Sequence, residues 1–278
     1  MSTSKQLVTP SSSVDDVREI RFAAKQASKQ IHRCQRQYFI CKSLREEIAF
    51  VTKLINDFTI PLATPLGHIV PRTHEFVAAG DACPLGGGGW STNLRFWWHI
   101  HFATAFPATL GGGQAKVSIN VLETIVVIIN YAAAICACHV DGIDLSTFPV
   151  LLNFCDNTSA CSWINRKCRN SIIGRRLGRL FAGLLLGSQV GIQCEWISTH
   201  ENVIADEISR LKKLSMGNFD FSQLLSKFPK LQNCRRFHPS ATLLSMISNV
   251  LEKDALPDPI VISKLTPMTL GSFSSRTT

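Results

Sequence analysis

The sequence predicts an α/β core, a mixed sheet flanked by helices, preceded by a basic helical segment and followed by an irregular C-terminal tail with short helices. Three observations predict it. Apolar runs of strand length recur at 75–81, 148–154 and 190–197. Longer stretches of helical pattern separate and follow them. Of the 278 residues 45% are hydrophobic and 18% charged, which supplies a real core and excludes a coiled coil or a disordered chain.

The first 13 residues are rich in Ser and Thr and read as disordered. Ser13-Val14-Asp15-Asp16 has the order of a capping box. Two helices follow, over 14–32 and 38–57, carrying Arg18, Arg21, Lys25, Lys29, Arg33, Arg36, Lys42 and Arg45. Pro61, Pro65 and Pro71 mark an extended linker closing the segment 14–73. The core domain spans 74–214. Glu75–Asp81 reads as a buried strand ending in an acid, and Gly86–Gly89 as a tight turn. Trp90–Phe102 reads as a second strand, with room for a third near Phe106–Ser118. Ile119–Cys138 is apolar nearly all round, the pattern of a helix buried on several faces. Phe148–Phe154 has the unbroken apolar character of a central strand. Helices over Thr158–Lys167 and Ser171–Ser188, a strand over Val190–Ile197 and a helix over Asn202–Leu214 complete the core. In 215–278, five prolines punctuate short helices, notably Ala241–Lys253.

Lys and Arg number 29 against 20 Asp and Glu, a formal net charge of +9. Such an excess points to a polyanion, either nucleic acid or an anionic membrane surface. No apolar stretch reaches the ~18–20 uninterrupted residues of a membrane span. The longest, Thr124–Val140, is broken by Asn130 and His139, so no membrane partner is expected. Met1–Ser13 lacks the apolar core of a signal peptide. The ten cysteines are scattered, mostly within apolar runs, and read as reduced core residues. An intracellular protein is expected, without distinguishing cytoplasm from nucleus.

Four acids fall where this core would gather them. Asp81 ends the first strand, Glu123 lies near the start of the long apolar helix, Asp156 follows the central strand and Asp206 lies in the last core helix. Sites in open α/β sheets form beyond strand ends. Glu123 is flanked by Val121, Leu122, Ile125 and Val126, where an isolated carboxylate is costly to ionise. A divalent cation relieves that cost, because it takes oxygen ligands. Singly, each acid has a plainer reading. Asp81 could cap a turn, Asp156 could cap the following helix, Asp206 could be a solvated helix acid, and Glu123 could answer a helix dipole. The ordered set outweighs these readings.

These residues resemble a known family. Gly80-Asp81-Ala82 with the glycine run and Trp90, Asn120-x-x-Glu123, and Asp156-Asn157-x-x-Ala160 with Trp163 are similar to the first three acidic motifs of an RNase H-like domain. Asn202-x-x-Ala205-Asp206-x-x-Ser209-Arg210 is similar to its closing motif. The chain is thereby similar to the RNase H-like domain of retrotransposon reverse transcriptases, DIRS-type elements being the nearest, over His74–Leu214. The resemblance implies an RNase H-like mixed sheet. It implies a two-metal endonuclease that cuts the RNA strand of an RNA–DNA hybrid. Asp81, Glu123, Asp156 and Asp206 would hold two Mg²⁺ ions, with Mn²⁺ able to substitute. Partners would be the hybrid and the polymerase domain of the parent element, with the basic helices corresponding to the connection between them. Strand choice would rest on shape and 2′-hydroxyl contacts.

The chain departs from the pattern in two places. Only His200 lies near the position of the mobile histidine that cellular enzymes carry, and its loop is shorter. Phe154-Cys155-Asp156-Asn157 is not a polymerase motif, so DNA synthesis is not expected. Proofreading exonucleases place Asp-x-Glu on the first strand, where this chain has Asp81-Ala82-Cys83. Integrases and transposases of this fold end with Glu rather than Asp.

Arg166, Lys167, Arg169, Arg175, Arg176 and Arg179 form a candidate phosphate-contacting surface, with Asn157 and Asn202 as further nucleic-acid contacts. A solvated helix face explains the same basic residues equally well. Gly86–Gly89 is no phosphate loop, because no Gly-Lys-Ser/Thr follows. His99-x-His101 and Cys136-x-Cys138-His139 match no zinc-finger spacing. A second class of function remains open: a nucleic-acid-binding or docking module that keeps the fold without turnover.

Overall fold

The computed structural model describes residues 25, 41–56, 74–110, 117–166, 171–211, 221–252 and 257–274. The expected disorder at 1–13, the linker at 58–73 and most of the first expected helix lie outside them. The chain divides into two compact units, Met1–Lys53 and Leu54–Thr278. Lys25 is helical and exposed, and helix α1 spans Lys42–Asn56 across the unit boundary.

The second unit carries a seven-stranded mixed sheet. Its strands are β1 (Phe76–Ala82), β2 (Gly86–Ser91), β3 (Phe96–His101), β4 (Val150–Cys155), β5 (Gly191–Trp196), β6 (Arg235–Pro239) and β7 (Gly271–Phe273). They lie in the order β5-β4-β1-β2-β3-β6-β7. β1, β2 and β3 form an antiparallel meander. β4 pairs parallel with β1, and β5 with β4. The short helical turns α2 (Phe102–Ala105) and α3 (Pro107–Leu110) follow β3. α3 stands at the start of the stretch 106–118 where a further strand was expected, of which 111–116 lie outside the described residues. Pro107 takes the first position of its turn, where a missing N–H costs nothing.

Helix α4 (Ile119–Val140) is the centre of the core. Every residue from Val121 to Cys138 is buried. It is long and apolar enough to cross a membrane, yet its apolar window is wholly buried inside the protein. Asn130 sits at its middle with no exposure. The Asn130 Oδ1 accepts from Trp98 Nε1 at 2.6 Å, and its Nδ2 donates to Asn153 Oδ1 at 2.9 Å. The polar group that interrupts the apolar run thus ties α4 to β3 and β4, which meets the requirement that buried polar atoms be bonded.

The glycine run corrects one expectation. Gly86–Gly89 is strand β2, and the turn lies at Thr92–Arg95, where Arg95 has φ 51°. Asn93 organises that turn, accepting from Val77 N and donating to Glu75 O. The glycines of β2 provide space rather than unusual dihedrals. A Cβ on Gly87 would lie 2.7 Å from Val126, and one on Gly89 2.0 Å from Asn130 Oδ1. On the opposite face, a Cβ on Gly88 would lie 2.3 Å from Ile208 of α7 (Val203–Ser209). Two helices therefore approach the same strand from both faces, which only glycine allows.

Helices α5 (Thr158–Arg166) and α6 (Ile172–Gly187) connect β4 to β5. Beyond α7, the segment expected to be irregular is part of the fold. It contributes α8 (Phe221–Lys227), β6, α9 (Ala241–Glu252), α10 (Pro259–Ser263), α11 (Pro267–Leu270) and β7. Leu243, Ile247, Val250 and Leu251 bury one face of α9 in the main core. β6 pairs parallel with β3 and antiparallel with β7. Its sequence Arg-Arg-Phe-His-Pro has no apolar alternation, so the strand was not readable. It is held by an Arg235–Asp141 ion pair at 2.7 Å and by Arg235 over the Phe273 ring at 4.7 Å.

Candidate metal centre

β1 and β4 are parallel neighbours, with Ala79 opposite Phe154. Two residues beyond that pair stand Asp81, on β1, and Asp156, just past the end of β4. Helix α4 begins beside them, so its second turn brings Glu123 to the same edge. Glu123 Oε1 accepts from Ala82 N at 3.2 Å, and its Oε2 faces Cys155 Sγ at 3.7 Å. Ligand atoms of Glu123, Cys155 and Asp156 all lie within 4.8 Å of one another. Helix α7 supplies Asp206 from the other face of the sheet. Three and four residues on, Ser209 and Arg210 share its helix face. Ser209 Oγ donates to Asp81 Oδ2 at 2.6 Å, and Arg210 donates to Asp206 Oδ1 from Nε at 2.8 Å and Nη2 at 2.6 Å.

Charge couples Asp81 to Asp156 and Asp206, and Glu123 to Asp81 and Asp156. Asp81 is 3% exposed and Glu123 2%. Burial pushes the Asp81 carboxyl up to about 6; Ser209 opposes the shift and the charges of Asp156 and Asp206 add to it. Burial first, then Asp81 and Asp156, pushes Glu123 up to about 9. A carboxyl inside an apolar helix, beside two other acids, keeps its proton at neutral pH unless a cation replaces it. Glu123, Asp156 and Asp81 offer carboxylate oxygens, which fit a divalent cation of the Mg²⁺ or Mn²⁺ kind, whereas the Cys155 sulfur beside them is a softer donor that such an ion does not favour.

The remaining candidates have definite places. Asn157, not Asp156, caps α5: its Oδ1 accepts from Ala160 N at 2.9 Å and its Nδ2 donates to Asn120 Oδ1 at 3.0 Å. The Asp156 carboxylate is left for the site, where Oδ2 accepts from Thr199 Oγ1 at 2.8 Å. Asn202 is buried and donates to Gly80 O at 3.0 Å, tying α7 to β1 rather than presenting itself to a ligand. Of the basic residues on α6, Arg175 is exposed, Arg179 half-buried and Arg176 buried, so Arg175 is the one displayed to solvent. Lys167, Arg169 and the Arg166 side chain lie outside the described residues. His200 is exposed in the turn before α7, and its neighbour Thr199 makes the bond to the acid.

Sequence reasoning had Ser209 and Arg210 only as parts of the closing motif and Cys155 only as a reduced core cysteine, and it did not single out Thr199 or Trp196. The spacing of Ser209 and Arg210 from Asp206 was the available signal for two of them. Trp196 Nε1 donates to the Asp156 carbonyl at 2.9 Å. Behind Cys155, the thiols of Cys161 and Cys194 are 3.4 Å apart in a small apolar cluster. The eight described cysteines are free thiols. His99, Cys136 and Cys138 are buried, and among the described residues the only group of three potential ligand atoms close together is the one at the acids. Comparison of the chain with protein-family models, curated proteins and solved structures finds no match.

Proposed function

We propose that this chain is a divalent-metal-dependent endonuclease that cleaves the RNA strand of RNA–DNA hybrids as part of a retroelement reverse transcriptase. One observation carries the reading: Glu123, buried at a position costly to ionise, lies with Asp156 in one close group of ligand atoms at the sheet edge, and Asp81 and Asp206 flank it, Asp81 on β1 and Asp206 on α7 with its carboxylate paired to Arg210. The resemblance of the four motifs to an RNase H-like domain, and a mixed sheet flanked by helices, support it.

Bound Mg²⁺ or Mn²⁺ would supply an activated water and charge stabilisation at the leaving 3′ oxygen. The protein's own residues do the rest. Ala82 N fixes one oxygen of Glu123, and Ser209 fixes one oxygen of Asp81. Arg210 balances the charge of Asp206. Glu123 and Asp81 would have to give up their protons to hold a cation, which would couple its affinity to pH. Strand choice rests on 2′-hydroxyl contacts and on hybrid shape.

Cleavage of a labelled RNA–DNA hybrid with Mg²⁺ or Mn²⁺ tests this reading, with Asp156→Asn beside the wild type and duplex DNA and single-stranded RNA as controls. Hybrid-specific cutting that disappears in the variant, with fold and hybrid binding intact, is the expected result. Cutting that survives Asp156→Asn would sink the mechanism. Hybrid binding without cutting, and no thermal shift with Mn²⁺, would favour the docking module.

A further inference from the structure

We infer that Trp196 is a stacking platform for an unpaired nucleobase beside the acid site, so that the preferred nucleic acid carries a single-stranded segment next to its paired region. The inference rests on the nuclease reading only for the nature of the polymer that reaches the site.

Of the five tryptophans, Trp97 and Trp98 are buried and Trp90 and Trp163 half-buried, whereas Trp196 is 55% exposed. It ends β5, the edge strand of the sheet. Exposure alone would mean little, since single apolar residues on surfaces are ordinary. Two further facts distinguish this one. The indole N–H, its only polar atom, is committed to the carbonyl of Asp156. The ring is therefore held in one orientation, and it has only its apolar faces to offer. Its anchor is also a residue of the metal centre, whose carboxylate is held by Thr199 three residues beyond Trp196. The ring therefore lies beside the backbone of a candidate metal ligand.

Every base has a π-face, so a fixed exposed indole binds unpaired bases with little sequence preference. Paired bases inside a duplex present no such face. The occupant is thus an unpaired base adjoining the hybrid.

The test uses Asp156→Asn with Mn²⁺, because that change leaves the backbone carbonyl that holds Trp196. A blunt hybrid and the same hybrid with an oligo(dT) overhang are titrated by anisotropy. Tryptophan emission is read as the difference between Asp156→Asn and its Trp196→Phe derivative. The overhang should tighten binding about fivefold or more and quench the Trp196 emission. Trp196→Phe should keep most of the preference and Trp196→Ala should lose it. An overhang preference unchanged in Trp196→Ala, or unchanged emission with nucleic acid bound, overturns the inference. If the wild type nevertheless cleaves hybrids, the nuclease reading stands without it. Overhang-dependent quenching in a protein that cleaves nothing keeps the platform and removes the nuclease. No binding of either nucleic acid removes both.

Discussion

The acid edge of the sheet and the segment after residue 220 are packed into one fold on opposite principles. Around the acids, the interior holds Asp81, Glu123, Asn130, Asn153, Asn202 and Ser209. After residue 220, the buried residues described are apolar, from Leu224 and Leu231 through Leu243, Ile247 and Val250 to Leu270. One region keeps groups that folding does not favour, and the other supplies apolar burial that offsets them. Chemistry and stability are therefore separable, and substitutions in the two regions should act on different observables.

The largest expected effect follows directly. Asp81→Asn should bring hybrid cleavage below detection while leaving thermal stability equal or higher, because it removes a buried charge facing Asp156 and Asp206. Leu243→Ala should do the reverse. It should lower unfolding free energy by about 2–5 kcal/mol and leave the turnover of the folded fraction unchanged. Paired denaturation curves and single-turnover rates measure both. A rate loss in folded Leu243→Ala would show the regions to be coupled, contrary to the comparison.

Next in size is the strand that both helices press upon. Gly89→Ala puts a methyl against Asn130 Oδ1, the atom that also accepts from Trp98. Overpacking there should cost about 1–3 kcal/mol. Gly178 on α6 has nothing within 4 Å of its virtual Cβ, and Gly178→Ala should stabilise by about 0.5–1 kcal/mol through helix propensity. Urea midpoints moving in opposite directions would establish that the β2 glycines are there for space. Equal shifts would not.

The same contrast explains what was legible in the sequence. Apolar runs of the right length identified β1, β4, β5 and α4, and those elements position three of the four acids. A polar residue in an apolar run could be flagged, as Glu123 was. Nothing local distinguished a glycine turn from a glycine strand, because the reason lies in Val126, Asn130 and Ile208, far away in the chain. β6 was unreadable because its cohesion comes from Arg235 with Asp141 and Phe273 rather than from alternation. The capping of α5 could be assigned to either of two adjacent residues, and only the bond from Ala160 N to Asn157 freed Asp156 for the site.

The pH response should separate the regions again. Glu123 and Asp81 have folded-state values raised to about 9 and about 6, above the ordinary carboxylate range. Between the unfolded and folded values, the native state binds more protons than the unfolded state. Metal-free stability should therefore fall as pH rises, through about 6 for Asp81 and on to about 9 for Glu123. Glu123→Gln should flatten the upper part of that slope, whereas Leu243→Ala should shift the whole curve without changing its shape. Divalent-ion affinity should run the other way and strengthen with pH, because entering ions displace those protons. Melting curves from pH 5 to 9, with and without Mn²⁺, read both. A metal-free profile that rises toward pH 9 would remove the buried protonated Glu123.

The smallest effect expected belongs to the turn between β5 and α7. Thr199 gives Asp156 a single hydrogen bond at an exposed position, where water can replace much of it. Thr199→Ala should cost about 0.5–1.5 kcal/mol at most, read as a several-fold weaker Mn²⁺ affinity. Thr199→Ser should restore it, because the hydroxyl is what Asp156 uses. Isothermal titration of Mn²⁺ into the three proteins measures this, with His200→Ala as the neighbouring exposed substitution. If Thr199→Ala instead abolished activity as Asp81→Asn should, the turn would belong to the reacting centre. Polar groups essential to the chemistry would then not be confined to the buried interior, and the division between the two regions would have to be redrawn.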